Sequence, residues 1–153
     1  MPESAGWILD FYTPDLSQDE WIAQAGGKGA NLARLAQAGL PVPHGFIVRT
    51  AAYHEFAAAN DLEEKILAAL PDETELDTMV LEDSSHAIRA MFSSGRMPAS
   101  IQTELVNAYS ALENPAVAIR SSANAEDTLE LSFAGQQDTF LNVQGQGEVL
   151  AAV

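Results

Sequence analysis

Two changes of hydrophobic period constrain this chain more than any other feature. Short β-prone runs, Trp7-Ile8-Leu9-Asp10-Phe11 and Phe46-Ile47-Val48, give way to helical spacing across 50–113, and Ala116-Val117-Ala118-Ile119 restores a buried-strand pattern after Asn114-Pro115. A strand buries alternate residues or a short apolar run, whereas a helix buries positions three and four apart, so one segment cannot serve both patterns. The expected architecture is α+β, with a small sheet from strands near 7–11, 45–49, 116–120 and 137–143 and a helical insertion over about 50–113.

Local signals fill in this frame. Thr13-Pro14-Asp15 ends the first strand, and a loop or short helix leads to Gly26-Gly27-Lys28-Gly29. This glycine loop opens a helix from Ala30 to Ala38, with Leu32, Leu35 and Ala36 at helical spacing and Gly39 at its C-cap. Within the helical stretch, Thr50 is expected to cap Ala51–Ala59, and Asp61 with Glu64 resembles a capping box opening Leu62–Leu70. A further helix is expected over Leu76–Phe92, and one beginning near Pro98 carries Ile101, Leu105, Ala108, Tyr109 and Leu112 on one face. Glu148–Val153 reads as the first turns of a helix, as expected of a piece of a longer polypeptide.

Charge narrows the partners. Seven Lys and Arg face 22 Asp and Glu, a net charge of −15, which opposes general attraction to nucleic acid or anionic membrane. The sequence has no long apolar run and no secretory leader pattern, so a cytoplasmic location is expected. It has no cysteine, which excludes disulfides, thiolate metal sites and a cysteine nucleophile. Residues 21–54 contain Lys28, Arg34 and Arg49 but no acid, and the second acid-free window, 114–125, surrounds Arg120. Cations kept apart from carboxylates are suited to an anionic ligand, although alanine-rich composition accounts for the same gaps. The ten acids from Glu55 to Asp83 stand against Lys65 alone and read as a solvated face.

Three constellations bear on chemistry. A cation in a glycine-rich helix start has a conflict with the helix dipole that phosphate would remove, but a solvated lysine in a plain turn fits the same residues. The spacing differs from a Walker A loop. Arg120-Ser121-Ser122 ends an apolar strand and would aim a guanidinium and two hydroxyls at a ligand, or Arg120 would pair with Glu126 or Asp127. Ser132-Phe133-Ala134-Gly135-Gln136-Gln137-Asp138-Thr139 is either a compact turn that closes over phosphates or an ordinary surface turn. His44, His54 and His86 lack ligand spacing, and Ser121 has no histidine motif beside it.

GGKGANLARLAQAGLPVPHGFIVRTAAY at 26–53 and VAIRSSANAEDTLELSFAGQQDTFLNVQG at 117–145 together resemble the amino-terminal part of phosphoenolpyruvate synthases, which are related to pyruvate phosphate dikinases and rifamycin phosphotransferases. Both motifs occur in the family's order, with a variable helical stretch between them. The resemblance implies an ATP-grasp-type domain whose ATP yields AMP, inorganic phosphate and a phosphoryl group carried by a histidine in another domain. It implies ATP-binding roles for Lys28, Arg120, Gly135 and Thr139. Asn124 and Thr128-Leu129-Glu130-Leu131 depart from the family pattern and bear on subfamily.

The same resemblance implies that the Mg²⁺ ligands and the phosphocarrier histidine lie outside this chain, in C-terminal domains of the same polypeptide. No catalytic residue is assigned here, and the chain alone is expected to be inactive. A fragment of a rifamycin-type antibiotic phosphotransferase and a non-catalytic interaction module are the alternative readings.

Overall fold

The computed structural model describes residues 6–71, 77–123 and 139–153. Its elements run β1 (Ile8–Leu9), α1 (Gln18–Gln37), β2 (Ile47–Val48), α2 (Thr50–Ala59), α3 (Leu62–Ala69), α4 (Thr78–Ser94), α5 (Ala99–Ala111), β3 (Val117–Arg120), β4 (Thr139–Val143) and α6 (Gln146–Ala152). The mixed α and β content is as expected. In place of one small sheet, the described strands form two antiparallel pairs, β1 with β2 and β3 with β4. β1 stops after Leu9 because a turn follows at once, in which the Thr13 amide and hydroxyl both donate to the Asp10 carbonyl. A ladder of two residue pairs, Ile8 with Val48 and Leu9 with Ile47, presents little edge to recruit another strand.

The chain divides into two compact units, one of Met1–Ala52 with Ala99–Val153 and one of Tyr53–Pro98. The four helices from Thr50 to Ala111 occupy the expected helical stretch, but α5 belongs to the first unit. There its buried Ile101, Leu105 and Tyr109 face inward, and Glu104 accepts a hydrogen bond from the Trp7 amide at 2.6 Å.

In the first unit α1 lies on the β1/β2 pair, and the buried cluster comprises Leu9, Phe11, Trp21, Ala25, Ala33, Ala36 and Ile47. The face that α1 buries consists largely of small residues, which lets the helix approach the strands closely. A methyl group at Gly29 would stand 3.4 Å from the nearest carbon of Ile47. Leu35, expected on that face, is exposed. Each large apolar side chain buried here contributes about 2 kcal/mol, so packing rather than helix propensity holds α1. At its C-terminus Gly39 adopts φ +75°, and the Leu40 amide reaches back to the Leu35 carbonyl, the backbone pattern expected of a C-cap glycine.

Three helix starts differ from expectation. α1 begins at Gln18, where Ser17 and Glu20 form a reciprocal capping box. This Ser-x-x-Glu signal is present in the sequence ahead of the glycine loop. Asp61 makes no side-chain cap. Its backbone is left-handed, with φ 52°, outside the extended region from which a cap side chain folds back. Thr50 lies within α2, and its hydroxyl donates to the Ala23 carbonyl rather than capping the helix.

β3 and β4 are out of step by one residue, since Val117 pairs with Val143 but Ile119 pairs with Phe140. Asn142 takes φ 58° in this bulge, and the strand's alternation resets beyond it. Phe140 and Leu141 are consequently both exposed. The other end of the hairpin is held by the buried Tyr109, whose hydroxyl donates to the Pro115 carbonyl at 2.7 Å and accepts from the Gly145 amide at 3.0 Å.

In the second unit, α3 and α4 pack together and Phe56 stacks on Phe92 with centroids 6.2 Å apart. Asn60 bridges the Phe56 carbonyl and both backbone groups of Arg96. α4 has no buried residue, so this unit rests on a thin core.

Candidate functional site

Gly26 interrupts α1 with φ 68° and ψ 173°, a backbone region populated essentially by glycine. Helical geometry resumes immediately, so Gly27, Lys28 and Gly29 form the first turn of a second helical segment within α1. The expected glycine loop is thus one residue wide. A methyl group at Gly26 would meet the Ser122 carbonyl oxygen at 2.4 Å and its Oγ at 2.5 Å. What the glycine admits is the polypeptide just beyond β3.

That segment is bound to the new helix start by several contacts. The Gly27 amide donates to the Ala123 carbonyl at 3.0 Å, the Gly29 amide to Ser122 Oγ at 3.0 Å, and the Lys28 ammonium to the Ser121 carbonyl at 3.3 Å. Two motifs about ninety residues apart in sequence therefore meet in one place, within one unit. The amides of Gly27 and Gly29, at the helix start where phosphate is one expected ligand, are engaged by this contact. Ser122 behaves as an N-cap supplied from a distant segment, and its hydroxyl faces the helix rather than a ligand. The sequence signal for that role was only the two hydroxyls after Arg120.

Arg120, the last residue of β3, is exposed, and its side chain has no hydrogen-bond or ion-pair partner among the described residues. Its partner across the ladder is Thr139, also exposed. Three of the four residues expected to bind ATP thus lie on adjoining elements: Lys28 on the helix turn, Arg120 on the strand end and Thr139 opposite it. Gly135 lies outside the described residues, as do Glu126 and Asp127, the acids considered as partners of Arg120.

Arg49, a further cation of the acid-free window, is half-buried beside β2, and its Nη1 donates to the neutral Gln24 amide oxygen at 2.8 Å. Its Nε is buried without a hydrogen-bond partner among the described residues. His44, His54 and His86 are exposed, and His54 makes an edge contact with Tyr53.

A cation-bearing helix turn bonded to an arginine-bearing strand end, in a chain otherwise strongly acidic, favours an anionic ligand on electrostatic grounds. The chain belongs to the family of nucleotide-binding domains described as the pyruvate phosphate dikinase AMP/ATP-binding domain, whose model matches residues 22–153. Among its relatives is a probable phosphoenolpyruvate synthase of Methanothermobacter thermautotrophicus, 44% identical over 142 residues that cover 89% of this chain and 21% of the relative. The phosphoenolpyruvate synthase of Aeropyrum pernix is 38% identical over 95% of this chain and 18% of its own length. That of Deinococcus radiodurans is 43% identical over 82% of this chain and 17% of its own length. The chain thus spans a minor part of each of these relatives.

Proposed function

We propose that this chain supplies one half of the ATP site of a dikinase-type phosphotransferase of the phosphoenolpyruvate synthase kind, in an ATP-grasp-type domain. The observation that supports it best is the bonded junction between the Lys28 turn and the Ser121–Ala123 segment, which sets Lys28 beside the strand end that carries Arg120. On this reading Lys28 and Arg120 contact ATP phosphates together with Thr139, the first residue of β4 and the ladder partner of Arg120, and Gly135 joins them by its match to the family motif. A guanidinium matches two phosphate oxygens at once, while an ammonium acts as a point charge. Because the Gly27 and Gly29 amides are engaged, phosphate attraction falls to side chains.

In the longer protein, ATP would yield AMP, inorganic phosphate and a phosphohistidine on another domain, in the cytoplasm. Mg²⁺ would neutralise phosphate charge there, held by carboxylates outside this chain. The relatives favour a phosphoenolpyruvate synthase over an antibiotic phosphotransferase or a non-catalytic module.

Calorimetry of this chain with ATP and Mg²⁺, run beside an AMP-release assay, tests the proposal. Weak binding that declines with added salt, and no turnover, is the expected result. Lys28→Ala and Arg120→Ala should each weaken binding by about tenfold, on the scale of one charge-assisted contact, and Arg120→Lys should recover part of the loss. Wild-type affinity in either alanine variant would remove that residue from the site. Steady AMP production would show that a complete site exists in this chain.

A further inference from the structure

Ser122 lies at the centre of the contact between the two motifs, and the proposed function gives its side chain no role. The Ser122 hydroxyl is engaged by the helix turn that carries Lys28, and the residue follows closely on the strand that carries Arg120. Its Oγ accepts the Gly29 amide at 3.0 Å, one residue beyond Lys28. Its backbone occupies the space left by the missing side chain of Gly26, and its neighbour Ala123 accepts the Gly27 amide.

We infer that Ser122 is a positioning residue of the ATP site, a distant helix cap that sets Lys28 in register with Arg120 before nucleotide arrives. The inference rests on the ATP-binding reading above. Each amide of a first helical turn needs an acceptor, and a cap normally comes from the residue that precedes the turn. Here the preceding residue is Gly26, which has no side chain, so the acceptor comes from the segment following Arg120. A nucleotide then meets two cations already in register, and little affinity is lost to ordering them.

The test is an NMR titration of the whole chain with ATP and Mg²⁺, following the glycine amides. Ser122→Ala should weaken ATP binding about fivefold, the scale of one cap interaction, with the chain still folded. In a Lys28→Ala background the same change should alter affinity by less than about twofold, because its effect passes through Lys28. Equal losses in both backgrounds, or unchanged affinity in Ser122→Ala, would overturn the inference while leaving the ATP reading intact.

A second measurement needs no variant. In the wild-type chain the Gly29 amide should be protected from hydrogen exchange without nucleotide and should remain so on saturation. If that amide is unprotected, or if its resonance makes the largest shift with ATP, phosphate rather than Ser122 is its partner and the positioning role is lost. Absence of any saturable shift with ATP in the wild type would remove the ATP reading and this inference together.

Discussion

Gly26 and Gly39 separate two reasons for a glycine. Both have positive φ, 68° and 75°, but a methyl group at Gly39 would meet nothing within 4 Å, whereas at Gly26 it would strike the Ser122 backbone. Gly39→Ala should cost about 1 kcal/mol, the penalty of left-handed backbone alone. Gly26→Ala should cost at least about 2 kcal/mol more than that, since the junction must open or the helix start must shift. Urea unfolding of the two variants checks this, and equal losses would mean that the close approach at Ser122 is not maintained in solution. At this scale Lys28 and Arg120 could be singled out as candidates from charge, since each sits in an acid-free window of an acidic chain. Ser122 could not, because its partner lies 93 residues away and its hydroxyl has the same chemistry whether it faces a ligand or a helix.

Among the elements, α1 carries a start signal that responds to pH. Glu20 accepts from the Ser17 hydroxyl at 2.6 Å and the Ser17 amide at 2.8 Å, and the hydroxyl contact first, then the amide, holds its carboxyl below the ordinary glutamate value of 4.5. A carboxylate with a lowered folded pKa stabilises the native state above its unfolded value. That contribution is lost as pH falls through the folded pKa, so the window lies on the acid side of 4.5. Unfolding measured through that range should fall more steeply for wild type than for Glu20→Gln, and parallel profiles would show that the carboxylate is not coupled to folding. The Ser17 box and the Asp61-x-x-Glu64 sequence look alike on paper. Only the first adopts extended backbone at the cap, with ψ 164°, whereas Asp61 is left-handed. Side-chain chemistry proposes a cap, and the backbone angle imposed by neighbouring elements decides whether it forms.

Across the whole molecule the two units differ in how much they bury. Among described residues, Leu62 is the only fully buried apolar side chain of Tyr53–Pro98, while the first unit buries Leu9, Phe11, Trp21, Ile47, Ile101, Leu105 and Tyr109 among others. Opening free energy follows buried apolar contact, so amides of α3 and α4 should exchange at least about tenfold faster than those at the centre of α1. Equal protection in the two units would refute that ranking. No helix among the described residues is long and apolar enough to cross a membrane. Hydrophobic period was sufficient to place most helices and the short strands within a few residues, because each element's burial pattern is written locally. The same is true of the two cationic motifs and the family they identify. The division of four strands into two pairs, the loss of Leu35 from the α1 face and the capping of the Lys28 turn by Ser122 were decided only by tertiary structure. Each depends on which distant backbone arrives at a given edge or helix start, and no spacing within a single segment records that arrival.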